Sequence, residues 1–276
     1  MDWKQITDSW VLIPPKPIGI VHFLGGAFVA TAPHLTYRWL LEQLANQGYI
    51  IVATPFVNTF DHRAIAQQVL LQFERVLIRL EDRGILGNGY YPIYGVGHSM
   101  GCKLHLLIGS LFPIKRAGNI LISFNNFAAR DAVPFLEQFN TSFAKSPFAV
   151  EFSPSPAQTN DLIREDYGVR RNLLIKFSND TIDQSTNLHE ILETRFPGMV
   201  ATQILTGTHV TPLGQDFKLQ SNSSFSPLDA LGQWFGQNKG DFTPFDALGQ
   251  WFQQEAYRDL NQLKAVILRW LNPLLN

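Results

Sequence analysis

Residues Tyr90 to Ser110 read YYPIYGVGHSMGCKLHLLIGS. At the centre, Gly97-His98-Ser99-Met100-Gly101 is a G-x-S-x-G sequence, with a β-type run before it (Tyr91, Ile93, Tyr94, Val96) and a helix-type run after it (Leu104, Leu106, Leu107, Ile108). A serine on a sharp strand-to-helix turn needs neighbours with almost no side chain, because the turn forces backbone against backbone; Gly97 and Gly101 meet that need. Such a turn lifts the Ser99 hydroxyl off the sheet and aims a helix N-terminus at whatever oxygen the hydroxyl attacks. The stretch therefore predicts a nucleophile elbow at 97–101, and with it an α/β fold.

Elements of the same kind lie on either side. Trp10 to Ile13 is a short apolar strand, and Ile18 to Leu24 and Tyr49 to Ala53 are continuous apolar runs, the pattern of strands buried on both faces. Between them, Pro33 to Asn46 carries Tyr37, Leu40, Leu41 and Leu44 at helical spacing. Asp61 suits the cap of a long helix with the stripe Ile65, Val69, Phe73, Val76, Leu77, Leu80. Beyond the elbow, strands are expected at Asn119 to Phe124, Leu173 to Phe177 and Thr202 to Leu205, and a last helix carries Leu260, Leu263, Ile267, Trp270 and Leu271. Strand and helix alternating in this order predict one domain, 1–276, built on a mostly parallel, doubly wound sheet.

Two segments do not fit the alternation. Residues 126–170 are too long for a plain connection and rich in Phe, Pro, Ser and Asn, and are read as a lid or cap insertion beside Ser99. Residues 222–254 hold a duplicated helical segment: Ser226 to Phe235, SPLDALGQWF, is echoed by Thr243 to Phe252, TPFDALGQWF. Either both copies pack on the domain, or one presents its Trp and Phe to a protein partner or a membrane surface.

Composition narrows the function. At 276 residues the chain can bury a large core, and a net charge of -1 offers no field to gather nucleic acid. The single cysteine, Cys102, excludes an internal disulfide and points to a reducing, cytoplasmic setting. The seven histidines show no metal-ligand spacing, and no cofactor motif is present. The N-terminus lacks the basic and apolar regions of a signal peptide, and no run reaches the roughly 18 apolar residues of a membrane span.

A serine hydroxyl is a weak nucleophile until a base takes its proton, so a base and a group to orient it are needed elsewhere. His209 lies in Gly207-Thr208-His209, just after the last strand, and Asp180 lies in Ser178-Asn179-Asp180, just after the strand ending at Phe177. Asp183 is the fallback acid. The developing oxyanion requires backbone N–H donors, expected from Met100 and from Gly26 and Ala27 in the Gly-Gly loop after Leu24.

Together these residues make the chain resemble the α/β-hydrolases: the elbow GHSMG at 97–101, the acid in FSND at 177–180, the histidine in GTH at 207–209, and LGGAF at 24–28, similar to the HGGGF oxyanion loop of carboxylesterases and lipases. Leu24 stands where that loop carries histidine. Within the superfamily the chain is similar to a domain-of-unknown-function branch of cyanobacteria and plastids whose histidine loop also reads H-x-T-P-L, here His209 to Leu213. The resemblance implies a cofactor-free serine hydrolase of the esterase, lipase or thioesterase type. It would cleave a small-molecule ester or thioester with an apolar portion through an acyl-enzyme formed on Ser99. The competing readings are an acyltransferase, or a non-catalytic binding or scaffold protein on the same fold.

Overall fold

The computed structural model describes residues 1–27, 29–87, 89–128, 151–213 and 247–272, with side chains of the last helix from Tyr257 onward. The continuous apolar runs become the middle of one sheet: Gly19–Leu24 (β3), Tyr49–Ala53 (β4) and Gly118–Ile122 (β6) are buried at every residue. Ile93–His98 (β5), Asn172–Phe177 (β7) and Val200–Leu205 (β8) complete the parallel part. The N-terminus adds Lys4–Ile6 (β1) and Ser9–Leu12 (β2), an antiparallel hairpin whose second strand pairs antiparallel with β4. Among the described residues the sheet has eight strands in the order β1-β2-β4-β3-β5-β6-β7-β8. The fold is thus the mostly parallel, doubly wound sheet expected; β1 and β2 carry the only antiparallel pairings described.

Helices cover both faces. On one side Arg38–Asn46 (α2) and Ala247–Leu271 (α7) pack together: Leu40, Leu41 and Leu44 meet Leu263, Ile267 and Leu271 over Val21, Phe23 and Ile51. On the other lie His62–Asp82 (α3), Met100–Leu111 (α4), Pro156–Asp166 (α5) and Ser185–Arg195 (α6). Their stripes bury Ile65, Val69 and Phe73 of α3, Leu104 and Leu106 of α4, Ile163 of α5, and Leu188 and Leu192 of α6. Each aliphatic side chain so buried contributes about 1.5–3 kcal/mol relative to an exposed one. The Asp61 carboxylate caps α3, accepting from Ala64 N at 2.8 Å.

Two expectations change. The helix read over Pro33 to Asn46 is broken: Pro33–Thr36 (α1) ends at Tyr37, which has φ −115° and ψ 19°, before α2 begins. The break leaves Tyr37 fully buried. Second, the later part of the region read as a lid, α5, is a helix of the domain itself; a Ser155/Gln158 capping box starts it, and Ile163 and Tyr167 pack beneath α4. Residues 129–150 of that region lie outside the described residues. The first DALGQWF copy also lies outside them, while residues 247–252 of the second form the start of α7. No helix among the described residues is long and apolar enough to cross a membrane.

Candidate active site

Between the end of β5 at His98 and the start of α4 at Met100 stands one residue, Ser99, with φ 54° and ψ −118°. An L side chain held at positive φ costs about 1–3 kcal/mol and persists only where its surroundings over-determine it. Here they do. Ser99 N donates to Ile122 O at 2.9 Å, and Cys102 N donates back to Ser99 O at 3.0 Å. A Cβ on Gly101 would lie 2.0 Å from Leu24 O, and one on Gly97 would lie 2.6 Å from Cys102 N, so only glycine fits either place. Met100 opens α4, where its N–H has no acceptor within the helix. The Ser99 hydroxyl accepts a hydrogen bond from Asn125 Nδ2 at 3.0 Å.

The loops after β7 and β8 continue the pairing of their strands: Ser178 N donates to Leu205 O at 2.8 Å and Asn179 N to Gly207 O at 3.0 Å. That zipper brings Asp180 to His209, with His209 Nδ1 2.8 Å from Asp180 Oδ2 and both residues buried. Burial alone would raise the Asp180 pKa. The hydrogen bond and charge of His209 outweigh it, helped by Ser123 and by Ile182 N, and hold the pKa below the ordinary value. Asp183 is placed differently: it accepts from Ser185 N at 3.0 Å and Ser185 Oγ at 2.8 Å at the start of α6, and burial raises its pKa. The H-x-T-P-L sequence has a local reason. Thr211 Oγ1 accepts from Thr208 N at 2.9 Å, closing the turn that carries His209, while Pro212 and Leu213 are buried and Leu213 joins the core.

His98 links the remaining parts. Its Nδ1 lies 2.7 Å from Tyr37 Oη, its Nε2 lies 2.8 Å from His209 O, and Gly26 N donates to Tyr37 Oη at 2.8 Å. This corrects one expectation: the Gly26 N–H, nominated as an oxyanion donor, is engaged by the Tyr37 hydroxyl. Ala27 is next along the same loop, and a Cβ on Gly26 would stand 3.4 Å from the Ser99 Cβ, so the loop lies directly against the elbow.

Neither of the groups after the elbow lines it. Cys102 Sγ sits 3.2 Å from both Gly97 O and Ile122 O, and burial raises the thiol pKa. Lys103 is buried beneath the segment that leads into α5; its Nζ donates to Pro154 O at 3.4 Å and lies 5.7 Å from the Phe152 ring centre. Burial pulls its pKa down to about 7, with the Glu151 charge opposing.

Sequence reading missed Tyr37 and Asn125. Asn125 could have been suspected, since it follows the carboxyl end of a strand next to the elbow strand, where α/β sheets place their ligands. Tyr37 gave no signal, because its helical spacing made it one more core residue.

The architecture is that of the α/β-hydrolase fold, and solved structures agree. Carboxyl esterase 2 of the mycorrhizal fungus Tuber melanosporum is 16% identical, with 82% of this chain and 81% of that chain covered and a TM-score of 0.52. The Staphylococcus aureus fluorophosphonate-binding serine hydrolase FphF is 14% identical, with coverage of 73% and 85% and a TM-score of 0.52. The Pyrococcus furiosus esterase Pf2001 is 17% identical, with coverage of 76% and 82% and a TM-score of 0.50. At such identities the likeness is one of fold. The chain belongs to the family described as "Protein of unknown function (DUF1350)", whose model matches residues 2–240 and 236–273. No curated protein matches it.

Proposed function

We propose that the protein is a serine hydrolase that cleaves a carboxylic ester or thioester through an acyl-enzyme. The observation that carries this reading is the 2.8 Å bond from His209 Nδ1 to Asp180 Oδ2, with the His209 backbone tied to the residue beside Ser99. In this reading Ser99 Oγ attacks the carbonyl carbon while His209 Nε2 takes the hydroxyl proton. Asp180 holds the tautomer that leaves Nε2 free to accept and stabilises the cation that forms. The oxyanion is met by Met100 N–H at the helix N-terminus and by the Ala27 peptide. His209 then delivers the proton to the leaving oxygen or sulfur, and water repeats the sequence to release the acid. Asn125 donates to Ser99 Oγ, so the serine proton stays free for the base to take.

Apolar side chains stand around Ala27 and Met100, with Leu24, Ala30, Phe56 and Leu104 in one cluster, which suits an apolar acyl portion. The structures similar in fold are named as esterases and a fluorophosphonate-binding hydrolase, which supports the same class of chemistry. Labelling with a fluorophosphonate probe tests the reading without knowing the substrate. Wild type should be labelled and Ser99→Ala should not, and Ser99→Ala and His209→Ala should each lose on the order of 10³-fold or more in hydrolysis of a short p-nitrophenyl ester. Labelling of Ser99→Ala at the wild-type rate would remove Ser99 from the nucleophile role.

A further inference from the structure

With His98 neutral, the buried chain running from Gly26 through Tyr37 and His98 to the His209 backbone has one consistent proton arrangement. His209 O can only accept, so His98 Nε2 carries the hydrogen and donates to it. His98 Nδ1 is then the acceptor, and the Tyr37 hydroxyl must donate to it. With its proton committed, Tyr37 Oη offers lone pairs to Gly26 N–H, as found. Each bond is between 2.7 and 2.8 Å, and every ring in the chain is buried. The packing is equally specific: Tyr37 meets Phe23 edge-on at 4.7 Å and His98 at 5.6 Å, and the His98 and His209 rings are 5.0 Å apart.

The chain spans three segments that must meet in register for an acyl transfer: the loop after β3, the elbow, and the loop after β8. From this we infer that Tyr37 and His98 are positioning residues for Ser99 chemistry, locking the Gly26–Ala27 loop and the His209 loop onto the elbow through one fixed tautomer of His98. This rests on the hydrolase reading above. Two consequences follow for the site. Because Tyr37 holds Gly26 N–H, the next peptide along the loop is the one left to face the oxyanion. Because His98 grips the carbonyl of His209, the His209 imidazole cannot drift with its loop. Chemical state supports the geometry. Burial, and next the charge of the neighbouring His209, push the His98 pKa down to about 3, so His98 stays neutral. Burial also raises the Tyr37 pKa, which keeps the hydroxyl a donor at every working pH.

Three variants test the inference: Tyr37→Phe, which keeps the ring and removes the hydroxyl, His98→Gln, which keeps an N–H that can reach His209 O, and His98→Leu, which keeps none. For a short p-nitrophenyl ester, Tyr37→Phe should lower kcat by about 10- to 100-fold with KM within about twofold, the signature of misplaced rather than missing chemistry. His98→Gln should retain at least about tenfold more kcat than His98→Leu. Nitrogen-15 spectra of the wild-type histidine rings should show His98 neutral with its proton on Nε2, and Tyr37→Phe should mix the tautomers. Wild-type kcat in Tyr37→Phe would overturn the inference, even if chemical unfolding shows lost stability, since a merely structural tyrosine would move stability alone. Equal rates for His98→Gln and His98→Leu, or an Nδ1–H tautomer in wild type, would overturn it too. If Ser99→Ala kept wild-type turnover, the hydrolase reading would fall and this role with it, whereas the tautomer result reads the chain independently of turnover.

Discussion

Two clusters of buried polar groups lie in this domain, and they are finished differently. At the carboxyl end of the sheet, His98 has a partner on each ring nitrogen and His209 Nδ1 has Asp180. Beneath α4, beside the amino ends of β6 and β7, His22 Nδ1 accepts from Arg116 Nη2 at 3.0 Å and His105 Nε2 bonds Val96 O at 3.3 Å. There His22 Nε2, Arg116 Nη1 and Asn119 Oδ1 have no protein partner. Burial depresses His98 and His105 alike, each to about 3. The shared cost of desolvation therefore does not tell the clusters apart; the partners on both ring nitrogens of His98, against the unmatched Nε2 of His22, do. A fully matched network specifies orientation, whereas each unmatched buried polar group costs about 1–3 kcal/mol and orients little.

The sharpest way to break that contrast is at the acid. Asp180→Asn should lower kcat by about 10³- to 10⁴-fold, because a neutral amide neither holds the histidine tautomer nor stabilises its cation. Asp183→Asn, which disturbs the Ser185 bonds at the start of α6, should cost less than about tenfold. Steady-state kinetics on the two purified variants decide it, and the reverse ranking would move the acid to Asp183.

These assignments differ in how visible they were beforehand. Ser99, Asp180 and His209 each sit within a few residues of a strand end, so a local pattern of apolar strand and turn residues was enough to nominate all three. Tyr37 was invisible because its meaning comes from His98, 61 positions away, and helical periodicity could not show that its helix breaks there. The β1 strand was missed for a simpler reason: Lys4 and Gln5 are exposed, and only Ile6 is buried, so three residues carry no alternating signal. Oxyanion geometry was misread at Gly26 because sequence shows which peptides are unencumbered by side chains, not which N–H another residue has already taken.

The second cluster should declare itself through acid. His22 and His105 are neutral in the folded protein, with pKa values pushed down by burial first and by the charge of Arg116 next, while in the unfolded chain they titrate near 6.5. Above that pH neither state binds the extra proton, and these groups give stability no pH dependence. As pH falls below about 6.5 the unfolded chain takes up protons that the folded one refuses, so stability drops, until near pH 3 the folded form of His105 titrates as well. Each such histidine should remove about 2 kcal/mol by pH 5. Buried His62 and His98 add to the fall. Urea unfolding at pH 7 and pH 5 should show that His105→Leu shrinks the difference between the two by about 2 kcal/mol; an unchanged difference would mean His105 is protonated when folded.

The smallest expected effect is the most discriminating, because it pairs the same substitution in both clusters. The Tyr167 hydroxyl accepts from Asn119 Nδ2 and donates to Asn172 Oδ1, both at 2.7 Å, in a fully buried setting like that of Tyr37. Tyr167→Phe keeps the ring against Ile163 and Leu188 and strands one donor and one acceptor. Asn172 Nδ2 still holds Val169 O at 2.8 Å, so the loop before β7 stays anchored. The expected cost is about 1–3 kcal/mol in chemical unfolding, with kcat and KM unchanged within error, since among the described residues the bonds of the Tyr167 hydroxyl run to Asn119 and Asn172 and not to the elbow or the two loops that face it. Tyr37→Phe should show the opposite balance, a large loss of kcat. If Tyr167→Phe also depressed kcat while remaining folded, the two clusters would be coupled through β6 and α4, and the division between a network that positions chemistry and one that only supports the fold would have to be given up.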